Sequence, residues 1–142
     1  MTMTITLSSA MASQAAALAH QSFCSPELAR SLPALSREAL DGLDFGVVKV
    51  DAEGCIEVYN KYEQELGRLT EAEVQGKNFF GEIAVCTDNP LFRGLFNAGI
   101  AANNLNHLFP YTFTYRMSPT PVRVHLYRDR TSSTNWILVK KV

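Results

Sequence analysis

No stretch of the chain stays apolar for the roughly 20 residues a membrane helix needs, so no spanning segment is expected. Charge of neither sign is in surplus. Over 142 residues, 13 Lys+Arg stand against 14 Asp+Glu, a formal net charge of −1. Such a chain has no general electrostatic pull on nucleic acid, which removes that class of partner as a default. Cysteine is scarce: Cys24, Cys55 and Cys86 follow one another at intervals of 31 residues. That spacing is foreign to short-spaced zinc motifs, and an odd count argues against a closed disulfide framework. His20, His107 and His125 sit in separate segments without ligand spacing, so no metal is assigned. Basic residues are missing before Arg30. A secretory signal and a mitochondrial transit peptide both need them, and a cytoplasmic location is the expectation.

What is present is ordinary globular composition, 46% hydrophobic and 19% charged, at a length that suits one domain. Residues 1–25, rich in Ala, Ser and Thr, read as a flexible N-terminal extension. Ser25-Pro26-Glu27 is a helix start, Ser capping and Pro at the first position, and Leu28, Leu32, Leu35 and Leu40 recur at near-helical spacing up to Gly42. Residues 26–42 are therefore expected as a helical cap on a single domain spanning 26–142. From Phe45, two β-branched arms around Asp51–Gly54 predict a hairpin. Short helical pieces broken by Gly67, Gly76 and Gly81 fill residues 60–88, and a longer helix is expected from Asn89-Pro90 to Asn103-Asn104. Three strands close the chain, which makes an α+β domain with an antiparallel sheet. Tyr111, Phe113, Tyr115 and Met117 share one strand face, and alternation predicts that the apolar side of the sheet meets the short helices.

Three local features carry possible chemistry, each with a plainer reading. Cys86 precedes the expected long helix, whose amide groups and dipole favour a thiolate; equally, free cysteine is often a small buried hydrophobe. Tyr59 and Glu63 are four residues apart, so both point one way if Tyr59 opens a helical turn. A phenol and a protonated carboxyl can both donate to one buried anion, and an apolar pocket keeps a carboxyl neutral. The plainer reading makes Glu63 a solvated helix residue like Glu65. The aromatic stripe on the third strand reads first as core. The last 36 residues carry six basic groups and one acid, Asp129, which reads as a solvated strand face or a partner surface.

Taken together and in order, these features resemble the photoactive yellow protein family, a branch of the PAS fold. The likeness rests on Leu40-Asp41-Gly42-Leu43-x-Phe45-Gly46, Tyr59-Asn60, Gly76-Lys77-Asn78-Phe79-Phe80, Cys86-Thr87-Asp88, Asn104-Leu105-Asn106 and the run from Tyr111 to Thr120. Val124-His125, Trp136 and the final Val-Lys-x-Val also fit. The resemblance implies a central five-stranded antiparallel sheet with short helices on one face and an N-terminal helical cap. It implies a non-enzymatic blue-light receptor carrying p-coumaric acid as a covalent thioester on Cys86. Tyr59 and Glu63 then fall on the positions that hydrogen-bond the phenolate, with Phe79, Ile83, Thr87, Tyr111, Phe113 and Met117 around the chromophore.

A phenol titrates near 10, so keeping it ionised at pH 7 asks for about 4 kcal/mol of preferential stabilisation, which only charge-directed hydrogen bonds supply in an apolar pocket. Light would isomerise the double bond from trans to cis, Glu63 would give up its proton, and a buried unpaired carboxylate would drive partial unfolding as the signal. A downstream protein partner is implied but not specified, and a monomer or weak dimer is expected. Two positions depart from the family: its usual threonine eight residues after the tyrosine is Gly67, and its arginine aligns with Leu69, beside Arg68. The alternative, from another class, is a PAS interaction or ligand-binding module without a photocycle.

Overall fold

The computed structural model describes residues 22–114 and 118–142. Helix α1 (Pro26–Ser31) begins as expected: Ser25 is the cap, its hydroxyl accepting the Leu28 amide at 3.1 Å, and Pro26 sits at the first position. A short 3-10 turn (Leu32–Ala34) leads to α2 (Arg37–Asp41), capped by Ser36. The hairpin β1 (Gly46–Val50) and β2 (Ile56–Tyr59) follows. Asp51 closes its turn by accepting the amides of Glu53 and Cys55 at 2.9 Å, and Gly54 takes φ +95°, a conformation other residues resist.

Then come α3 (Lys61–Gly67), capped by Asn60, and α4 (Glu71–Val74), opened by a Thr70/Glu73 capping box. A π turn (Phe79–Ile83) and a 3-10 turn (Val85–Thr87) lead to α5 (Arg93–Ala102). The long helix therefore starts later than its Asn-Pro signal predicts. Asn89 Oδ1 does accept the Leu91 and Phe92 amides at 2.9 Å, but it caps only a turn. Phe92, the residue before the helix, is buried against the rings of Phe79, Phe80, Phe109 and Tyr111. Burial of one ring outweighs the local cap.

Strands β3 (Asn106–Phe113), β4 (Thr120–Asp129) and β5 (Thr134–Lys141) complete one antiparallel sheet in the order β2-β1-β5-β4-β3. This is the expected α+β architecture, with five strands in the described residues. One face carries Val48, Val50, Val122, Val124, Leu126, Ile137 and Val139 against the helical pieces between β2 and β3. The other face is not left to solvent. Val47, Trp136 and Leu138 pack there with Leu32, Leu40 and Phe45, so the N-terminal cap covers the second side. Strand β5 is consequently buried on both faces from Asn135 to Val139.

The basic, outward face expected of β4 is part of this second layer. Phe23 stacks edge-on to Phe45 and His125 and lies under the Arg123 guanidinium. Phe23 and Cys24, read from sequence as the end of the extension, thus belong to the folded body, with Cys24 only 2% exposed. Residues 1–21 lie outside the described residues, as do Tyr115 and Met117 of the predicted aromatic stripe.

Candidate functional site

The end of β2 and the start of α3 set the site. Asn60 is fully buried and spends its amide on four backbone groups. Its Oδ1 accepts from Val47 at 2.9 Å and Glu63 at 3.2 Å, and its Nδ2 donates to the Leu40 and Phe45 carbonyls at 2.8 and 3.1 Å. This capping turn places the side chains of Tyr59 and Glu63 around one cavity, although Tyr59 ends β2 and the helical turn opens after it at Lys61. From the other side, the two turns before α5 bring Phe79, Ile83, Ala84 and Cys86, and β3 brings Phe113. The cavity offers about 30 Å³, room for a water or two.

Glu63 is 4% exposed and its Oε1 makes no hydrogen bond to the described residues. Burial pushes its carboxyl up to about 8, so at pH 7 the side chain is mostly neutral and able to donate. Burial, and then the neighbouring Glu63, hold the Tyr59 hydroxyl well above the usual tyrosine range. The plainer reading of Glu63 as a solvated helix residue is therefore wrong.

Cys86, half-buried, borders the same cavity from within the 3-10 turn. The long helix expected to start just after Cys86 begins only at Arg93. What anchors Cys86 is its carbonyl, which accepts the Tyr111 hydroxyl at 2.5 Å and Asn89 Nδ2 at 3.0 Å.

Two residues expected around the cavity do not line it. Thr87 is fully buried, but its hydroxyl donates to the Ala84 carbonyl at 2.6 Å and closes the turn instead. Tyr111 turns its hydroxyl to Cys86 and Asn89 and packs its ring against Phe92, Phe109 and Phe113. Both hold the cysteine turn from behind. Met117 lies outside the described residues.

The two departures from the family pattern are resolved in geometry. Leu69 lines the cavity, whereas Arg68 ends α3 in a left-handed conformation, φ 56°, and is exposed. Gly67 also lines it, and a Cβ there would stand 2.9 Å from the Tyr59 hydroxyl oxygen. Sequence reading missed three more participants. Leu66 lies one helical turn after Glu63, a signal that helical spacing offers. Ala84 has no such signal. Gly46 has none either: a Cβ there would fall 2.6 and 2.8 Å from Glu63 Cγ and Cδ, a conflict visible only after folding.

No protein-family model matches the chain. It is 46% identical to the photoactive yellow protein of Rhodothalassium salexigens over 103 residues, covering 72% of this chain and 82% of that one. It is 38% identical to the photoactive yellow protein of Halochromatium salexigens over 120 residues, covering 84% of this chain and 96% of the relative. Among solved structures, the photoactive yellow protein domain of the sensor histidine kinase Ppr from Rhodospirillum centenum superposes with a TM-score of 0.75 at 31% identity, covering 80% of this chain and 99% of that one. The fold is the PAS fold, five antiparallel strands with short helices. With the relatives matched over most of their own length, the chain belongs to the photoactive yellow protein family, whose members are non-enzymatic photoreceptors.

Proposed function

We propose that the chain is a blue-light photoreceptor that carries p-coumaric acid as a thioester on Cys86, with Tyr59 and Glu63 holding the phenolate. The observation that carries this reading is the buried Glu63 carboxyl, neutral at pH 7 and with Oε1 unpartnered, on the same cavity as the Tyr59 hydroxyl and Cys86. A buried polar group left without a partner costs free energy, and the oxygen of a guest anion would supply one. The residue types fit a tethered phenolate: one sulfur, two hydroxyl-type donors, and Phe79, Ile83 and Phe113 to exclude water. A ring-sized guest takes further room from the half-buried Leu66, Leu69 and Ala84 that close the cavity. When bound, the dye supplies light absorption and a double bond whose isomerisation moves its phenolic oxygen.

The chain's own part follows from its electrostatics. In the dark Glu63 keeps its proton and donates, and Tyr59 donates beside it. Once the acceptor moves, Glu63 would pass its proton to the phenolic oxygen and be left as a carboxylate among apolar side chains. A buried unpaired charge is expensive, so the fold relaxes by admitting water. Asn60 bonds Glu63's amide, the α2 carbonyl of Leu40 and the strand amide of Val47, so this strain reaches the N-terminal cap directly. That cap is the element we expect to detach. The output leaves through a protein surface contact, and the chain acts as a monomer or weak dimer in the cytoplasm.

Reconstitution with an activated p-coumaric ester tests this. Cys86 sulfur displaces the activating group, its proton passes to solvent, and a visible band appears with a mass increase of one p-coumaroyl group. Cys86→Ala abolishes both; an adduct unchanged in that variant refutes the assignment. Wild-type protein that takes up no dye would belong with PAS modules acting without a photocycle.

A further inference from the structure

Strand β2 is an edge of the sheet, so the outward amides of its residues have no strand partner. At Tyr59 the missing partner is a side chain. Glu71, the first residue of α4, accepts the Tyr59 amide on Oε2 at 3.0 Å, and the same Oε2 faces the guanidinium of Arg37 on cap helix α2. The next two residues are tied to the same helix. Asn60 Nδ2 donates to the Leu40 carbonyl at 2.8 Å, and the Lys61 amide donates to Asp41 Oδ1 at 2.9 Å. Three successive residues, beginning with the one whose hydroxyl lines the cavity, are thus gripped by α2, and the Glu71 carboxylate makes the first of those links. It is also the only one that runs through an ion pair, with both side chains partly exposed, 42% for Arg37 and 28% for Glu71, and so open to screening by salt.

We propose that Glu71 is a positioning residue for Tyr59, held in place by Arg37, so that cap packing and the aim of the tyrosine hydroxyl are coupled through one carboxylate. Removing the carboxylate frees the Tyr59 amide and loosens the residue whose hydroxyl sits against Gly67, where a Cβ would stand 2.9 Å away. By reciprocity, whatever moves Tyr59 weakens the grip on α2 by the same factor. The role of the Tyr59 hydroxyl as a dye donor rests on the proposed function; the amide link does not.

The test therefore has a dye-free arm and a dye-loaded arm. Without dye, amide hydrogen exchange at Tyr59 should rise about tenfold in Glu71→Ala and by less in Glu71→Gln, whose side-chain oxygen still accepts but no longer pairs with Arg37, while Leu126 and Ile137 in the sheet are unmoved. Salt at about 0.5 M should loosen Tyr59 in the wild type but add nothing in Arg37→Gln. With dye, Glu71→Ala should shift the visible band and Glu71→Gln should shift it less. An unchanged Tyr59 amide in Glu71→Ala, a uniform rise across the sheet, Arg37→Gln matching wild type at both salt concentrations, or an unshifted band would each overturn the proposal. Wild-type protein that takes up no dye defeats the proposed function alone and leaves the exchange arm to decide the coupling.

Discussion

A carboxyl group withdrawn from water holds its proton, and Glu63 makes that a property of the folded state. Its carboxyl is raised from 4.5 to about 8, whereas the unfolded chain releases the proton near the lower value. Between those values the native state binds one proton more than the unfolded state. Stability contributed by this group is therefore full below pH 4.5 and is lost as pH rises toward about 8. The slope cannot exceed about 1.4 kcal/mol per pH unit for one proton. Glu63→Gln keeps the shape and removes the titration. Urea denaturation of dye-free protein across this range should show the wild type weakening with pH and the variant nearly flat. Equal slopes in the two proteins would mean that Glu63 is ionised in the fold. In loaded protein the same substitution should shift the visible band and alter recovery after a flash, since the amide still donates but has no acidic proton to give.

Among the elements, the contact of β1 with α3 leaves least room for change. Gly46 begins β1 directly against the Glu63 side chain, and the missing Cβ is the space that chain occupies. Gly46→Ala forces Glu63 off its rotamer or α3 away from the sheet, at a cost of about 1–3 kcal/mol. The expected result is a lower melting temperature together with poorer dye uptake; a variant with wild-type stability and loading would show that α3 yields freely. The cap at Ser25-Pro26 was legible beforehand in residue type alone; that of Asn60 became visible only in the structure, where its side chain ties four backbone groups together. The start of α5 was not. Asn89-Pro90 is a sound local signal, but the burial of Phe92 among four rings, and the pull of Asn89 Nδ2 toward Cys86 and Tyr111, decide where helical hydrogen bonding begins.

Across the whole molecule, a second buried group opposes Glu63. His125 donates from Nε2 to Asn106 Oδ1 at 2.6 Å in the tautomer this partner favours, its Nδ1 is buried without a partner, and desolvation lowers its titration below 6.5. Its contribution to stability is complete above pH 6.5, where the unfolded chain is also neutral, and is lost as pH falls through the depressed native value. The two slopes oppose each other below 6.5, while above it only that of Glu63 remains. Thermal unfolding of dye-free protein should accordingly lose stability most steeply between pH 6.5 and about 8. A melting temperature that climbs through that window would contradict the Glu63 assignment.

The amino-acid sequence by itself determined the element order, the Ser25 cap and the antiparallel α+β class, because each is written in spacing and residue type over a few neighbours, while Cys86, Tyr59 and Glu63 were given their roles only by the family resemblance of the whole pattern. Only the tertiary structure decided that β5 is covered on both faces, that Thr87 and Tyr111 brace the cysteine turn rather than line the cavity, and that Leu69 instead of Arg68 closes it. Those outcomes depend on which side chains from distant segments compete for the same buried volume and the same unpaired backbone groups. No local pattern encodes that competition.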